Sequence, residues 1–112
     1  MRGGIRLEDE STGTGREARL GDRVTVRYAL TLNRGDVVQT VEAYRFVLGK
    51  REVVAALEYG VLGMAVGGRR RFRAGPHLAY GERAVAGIVP PNAVLRFDVT
   101  LLDVERAVER AS

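Results

Sequence analysis

Residues 78–99, LAYGERAVAGIVPPNAVLRFDV, decide how the rest of the chain is read. The stretch opens on an aromatic turn, Ala79-Tyr80-Gly81, and passes through a loop ending in Gly87-Ile88-Val89-Pro90-Pro91. It finishes in an alternating segment, where Leu95, Phe97, Val99 and Leu101 fall on one face and Arg96, Asp98 and Thr100 on the other. That period-two pattern is the mark of a half-buried β-strand. The paired prolines cannot donate backbone hydrogen bonds, so they bound where the strand begins. An apolar tip, Ile88-Val89, is thereby carried on a stiff stem beside Tyr80, which is one way to build a shallow apolar site.

Working outward, the same alternation recurs upstream. Ile5 and Leu7 suggest a short first strand, followed by a turn cluster, Ser11-Thr12-Gly13-Thr14-Gly15. Over 23–33, Val24, Val26, Tyr28, Leu30 and Leu32 share a face, and Asn33-Arg34-Gly35-Asp36 reads as a hairpin turn into a strand at 37–41. A separate strand is expected at 45–48, closed by Gly49, and another at 69–73, with the last long strand at 94–104. Only 52–59 has helical spacing: Val53, Val54 and Leu57 form a stripe, and Gly60 suits a C-terminal stop. So short a helix must be held by packing rather than by propensity. The expected fold class is α+β, an antiparallel sheet of about five strands wrapped around one short helix.

Composition narrows the chemistry. At 112 residues the chain reads as a single domain, 1–112, with its core over about 4–105 and a short charged tail. There is no cysteine and one histidine, His77, so a disulfide frame, a thiol nucleophile and a His/Cys metal cluster are excluded, and no metal or cofactor is expected. His77, after Pro76, reads as an exposed turn residue without a chemical role. The N-terminus has no apolar signal core and no apolar run approaches membrane-spanning length, so a cytoplasmic protein with no membrane association is expected. The net charge of +4 raises nucleic acid as a partner. The basic residues are almost all arginine, however, and the densest run, Arg69-Arg70-Arg71-Phe72-Arg73, reads as the solvated face of a strand, with no recognition motif beside it. The acidic run Glu8-Asp9-Glu10 likewise reads as solvated. No nucleic-acid partner is expected.

Several ordered segments resemble one known family. Leu48-Gly49-Lys50, Glu52-Val53-Val54, Gly60-Val61 and Met64-Ala65-Val66-Gly67 come first. Pro76-His77-Leu78-Ala79-Tyr80-Gly81 and Ile88-Val89-Pro90-Pro91-Asn92-Ala93 follow, and then Leu95, Phe97-Asp98-Val99 and Leu101-Leu102. They are similar to the signature of FKBP-type peptidyl-prolyl isomerases, in a form that resembles the bacterial members most. The resemblance implies a half-open antiparallel sheet around a helix with an apolar pocket between them. It implies catalytic roles for Tyr80, Val54 and Phe97, with Tyr80 supplying a hydroxyl to a ligand carbonyl. Substrate contacts would come from Tyr28, Val38, Gln39, Tyr44, Phe46, Val53, Leu57, Ile88 and Val89.

Read from pattern alone, Tyr28, Phe97, Val53, Val54 and Leu57 would also serve as plain core packing, whereas Tyr80, set among turn residues, is less easily explained that way. The chain departs from the family where Val38-Gln39 replaces the usual Phe-Asp, where Leu57 stands at a pocket floor commonly built on tryptophan, and where the segment before Tyr44 is short. Two functions follow. One is a monomeric prolyl cis-trans isomerase that acts on proline-containing peptides or unfolded chains and accepts macrolide-type ligands. The alternative is a catalytically weakened binding or chaperone-type module on the same fold.

Overall fold

The computed structural model describes residues 4–78 and 92–106. The two longest alternating segments become adjacent central strands. The strands are β1 (Ile5–Ser11), β2 (Arg23–Leu32), β3 (Val37–Val47), β4 (Arg69–Ala74) and β5 (Leu95–Glu105). They form one five-stranded sheet in the order β1-β4-β5-β2-β3, antiparallel at every pairing. A single helix, α1 (Ala55–Val61), packs on the inner face, and a turn of 3-10 helix (Pro76–Leu78) follows β4. Fold class and strand number agree with the sequence reading.

The alternation settles which face is inside. Val24, Val26, Leu30 and Leu32 of β2, Leu95, Phe97, Val99 and Leu101 of β5, and Phe72 and Ala74 of β4 are buried together with Ala56, Leu57 and Val61 of the helix. Each large apolar side chain removed from water in this way is worth about 1.5–3 kcal/mol, which is what holds a helix this short in place.

Three expectations need correction. The strands expected at 37–41 and 45–48 are one strand, because the turn at 33–36 launches β3 far enough to pair with β2 along its whole length, with bulges in the ladder absorbing the intervening residues. The helix begins three residues later than 52 and runs through Gly60, which is interior and buried rather than a stop. Its Cβ, if present, would lie 2.1 Å from Cζ of Phe72, so this residue is glycine because the helix passes directly over that ring. Finally, β1 extends to Ser11, and the last strand runs Leu95–Glu105, one residue later at each end than expected.

The charged runs lie mostly on the solvent side of the sheet, as read, but they are also each other's partners. A bulge between Leu7 and Asp9 shifts the register of β1 so that its carboxylates face the arginines of β4. Glu8 pairs with Arg73 at 3.3 Å and Arg96 at 3.7 Å, Asp9 with Arg71 at 3.0 Å, Glu10 with Arg70, and Asp98 of β5 with Arg69. The hydrogen bonds that Arg69 donates to Asp98, and then the charge of that carboxylate, raise the pKa of Arg69 above its ordinary value. The basic run is therefore neutralised within the sheet, and little of its charge is left to attract a polyanion.

Candidate functional site

The concave face of the sheet and the start of α1 bring most of the expected site residues together. Phe97 lies opposite Leu30 of β2 on one side and Phe72 of β4 on the other. Its ring stacks on that of Phe72 with centroids 5.2 Å apart and planes 8° from parallel. Tyr28 lies opposite Val99 of β5 and meets the edge of Tyr44 at 6.3 Å, and Tyr44 in turn approaches Phe46 at 6.0 Å. Aromatic contacts of this kind add to burial and fix ring positions.

The helix supplies the opposite wall. Leu57 is 2% exposed and sits in the core with Phe46 and Phe97, while Tyr28, Val38, Val53 and Val54 are half-buried against that cluster. Val54 is the N-cap, with φ −59 and ψ 146, and its carbonyl accepts the N–H groups of Leu57 at 3.0 Å and Glu58 at 3.3 Å. A valine has no side-chain oxygen to cap the remaining N–H groups. The link from β3 into the helix is held instead by two carboxylates: Glu52 accepts the N–H of Val47 at 3.0 Å and Glu58 that of Gly49. Of the other expected residues, Tyr44 is 38% exposed at the rim and Gln39 faces solvent. Tyr80, Ile88 and Val89 lie outside the described residues.

Beside Val54 a cleft of about 460 Å³ opens between the 3-10 turn and the start of the helix. Its walls include Arg51, Val53, Val54, Tyr59, His77 and Leu78. A depression of about 360 Å³ on the outer face of the sheet is walled by Arg27, Glu42, Arg69 and Asp98. Tyr28, Ala29 and Val41 line it beside those charges, so one of the expected substrate-contact residues borders this depression. Among the described residues no group of three His, Cys, Asp or Glu side chains stands close enough to hold a metal ion. No helix among them is long and apolar enough to cross a membrane.

The sequence reading missed two polar devices that frame the site. Arg70, read as one of a solvated run, turns inward, where Nη1 donates to the carbonyls of Gly60 at 3.1 Å and Leu62 at 2.9 Å, closing the C-terminus of α1. Asp22, only 3% exposed, accepts the N–H of Arg19 at 3.0 Å and the guanidinium of Arg106 at 3.3 Å, tying the turn before β2 to the end of β5. A Gly-Asp pair entering a long strand was the available signal for the second; none pointed to the first.

What the arrangement offers is a buried apolar cluster with aromatic members and half-buried residues at its edge, and the side chains packed there supply no charged acid or base. Such a site suits a reaction that needs neither a nucleophile nor proton transfer. The family model described as FKBP-type peptidyl-prolyl cis-trans isomerase matches residues 14–102. FK506-binding protein 4 of Neurospora crassa is 48% identical over 105 residues, which is 91% of this chain but 22% of that protein. The chain thus spans about a fifth of that relative's length. FK506-binding protein 1A of the same fungus is 37% identical over 107 residues, covering 91% of this chain and 89% of its own. The crystal structure of AtFKBP13 superposes with a TM-score of 0.82 at 29% identity, covering 89% of this chain and 92% of that one. The bacterial cast expected from the sequence is not supported by these relatives, since both proteins of stated organism are fungal. Sequence and sheet topology agree, and the chain belongs to the FKBP-type peptidyl-prolyl cis-trans isomerase family.

Proposed function

We propose that this domain accelerates cis-trans isomerisation of apolar-Xaa-Pro bonds in peptides and unfolded chains. The observation that carries the reading is the joining of Phe46, Leu57 and Phe97 with half-buried Tyr28 and Val54 in one apolar cluster. The barrier to rotation about an Xaa-Pro bond, about 18–20 kcal/mol, comes from amide resonance, which makes the step take tens to hundreds of seconds. The planar amide has more charge separation than the twisted one, so an environment poor in water disfavours the ground state more than the transition state. A donor placed to bond only the twisted form adds to this, and that role falls to Tyr80 on the family resemblance.

Exchange of a Leu-Pro tetrapeptide, followed by NMR, tests the reading with Tyr80→Phe as control. Acceleration that drops in the variant supports it. A folded protein with no effect on exchange refutes it.

A second reading, a binding or chaperone-type module with little turnover, is favoured by the aliphatic, fully buried Leu57 and by solvent-facing Gln39. Protection of an aggregating client, or FK506 binding without isomerisation, would select it. Gln39→Asp and Leu57→Trp would then be expected to raise turnover. A macrolide of the FK506 class as ligand, the monomeric state and a cytoplasmic location belong to this proposal, and are checked by titration, sedimentation and cell fractionation.

A further inference from the structure

The cleft beside Val54 shares two residues with the prolyl site, Val53 and Val54, yet extends away from it along the 3-10 turn to Leu78 and His77. Val53, Val54 and Leu78 make its apolar floor, polar groups including Glu58 line at least as much of it, and its charged groups are unequally committed. Both carboxylates of the β3–α1 link are turned onto backbone N–H groups: Glu52 onto Val47 and Glu58 onto Gly49. The cation of this cleft, Arg51, has neither an ion pair nor a hydrogen bond among the described residues. The arginines of β4 are each matched to a carboxylate, whereas Arg6, Arg23 and Arg45 on the other strands share the unpaired state of Arg51 without lining this cleft. Arg51 also holds φ at 58, a left-handed conformation that glycine would adopt with less strain. An unmatched guanidinium therefore lines a cleft of mixed polarity that shares Val53 and Val54 with the expected prolyl site.

We infer that this cleft is a specificity subsite, in which Arg51 selects substrates carrying an acidic side chain within two residues of the isomerised proline. The inference rests on the isomerase reading, and it adds to the preference for an apolar residue before proline a second preference for a flanking carboxylate. The apolar floor takes the methylene stem of a glutamate, while the guanidinium meets its carboxylate at the exposed rim. A contact of this exposure is worth a modest, salt-sensitive factor.

The test compares Glu-Leu-Pro-Phe with Gln-Leu-Pro-Phe, and Ala-Leu-Pro-Glu with Ala-Leu-Pro-Gln, by NMR exchange. In at least one pair the glutamate peptide should have the higher kcat/KM by about two- to five-fold at low salt, the range of an exposed ion pair. That advantage should disappear at about 0.5 M salt, where the screening length falls to a few ångströms. Arg51→Gln should bring the ratio to one, and Arg51→Glu should invert it. Ratios of one in both pairs for the unmodified protein overturn the inference, as does an advantage that survives Arg51→Gln. Turnover of the neutral glutamine peptides tests the isomerase reading separately. Should neither peptide of a pair be turned over, the ratio of their dissociation constants, from chemical-shift titration of the same proteins, decides the subsite by the same criteria.

Discussion

Replacing Gly60 by alanine should destabilise this domain, against the direction that helix propensity gives. Glycine in a helix interior costs about 0.8–1 kcal/mol relative to alanine, and Gly60 sits in ordinary helical conformation inside α1, so propensity alone predicts a gain. The packing opposes it. A Cβ at this position would fall 2.1, 2.5 and 2.7 Å from three carbons of the Phe72 ring. That ring cannot swing aside, because it is fully buried and stacked at 5.2 Å on Phe97. Relief must come from lifting the helix or displacing both rings, and overpacking of that kind costs about 1–3 kcal/mol. The net effect is a loss of up to about 2 kcal/mol, or roughly 4–8 °C in Tm for each kcal/mol in a domain of this size. Urea unfolding of Gly60→Ala, Phe72→Leu and the double variant isolates the cause. In the Phe72→Leu background the alanine should cost less than in the parent, with a coupling of about 1 kcal/mol. A Gly60→Ala protein more stable than its parent, or a cycle with no coupling, would refute the close helix–ring contact. The Gly60→Ala variant should also lose isomerase turnover, because Phe97 moves with Phe72.

Arg70→Met should cost about 2–3 kcal/mol, since it uncaps the carbonyls of Gly60 and Leu62 and strands Glu10, and Arg70→Lys should recover only part of this in the same urea assay because an ammonium cannot span the same acceptors. Val54→Ala, at a half-buried position, should lower turnover on a Leu-Pro peptide while costing about 1 kcal/mol of stability, whereas Leu57→Ala should cost about 2–5 kcal/mol; equal losses of stability would contradict their different burial. Retention on immobilised DNA should be weak even at low salt, and the Glu8→Gln, Asp9→Asn, Glu10→Gln triple variant should bind more strongly as the arginines of β4 lose their partners, which a chromatographic salt gradient would show.

The long alternations of β2 and β5 were legible because each strand has one face on the core and one toward water, so burial imposes its period directly on the residues. The edge strands were harder to read. Most of β3 is exposed, and its pattern of half-buried and exposed residues gives no reason to join 37–41 to 45–48; the pairing with β2 does that. The register of β1 depends on one bulge, and without it the acidic run and the arginine run show no sign of being each other's partners. The helix was visible as an apolar stripe, but its first turn was misplaced, since Val53 and Val54 pack on the core from outside the helix as readily as from within it. Gly60 misled for a related reason: a glycine near the end of a helical stripe signals a stop, and only the position of Phe72 reveals a close approach instead.

The candidate site was legible from the resemblance rather than from periodicity, and the structure shows why pattern alone leaves function and packing entangled. Phe46, Leu57 and Phe97 are each about 2% exposed, so the residues expected to shape the pocket are also residues that hold the sheet to the helix. Truncating any of them opens a cavity and removes pocket wall in the same step, and a loss of activity then has two explanations. The half-exposed residues separate the two. Tyr44 at the rim and Val54 at the helix start contribute less to the core, and Arg51 contributes nothing to it, so changes there alter what the site contacts while the sheet and helix stay together. Selectivity among proline peptides is therefore best sought along that rim, where substitution is cheap for the fold, and catalytic strength in the buried aromatics, where substitution is not.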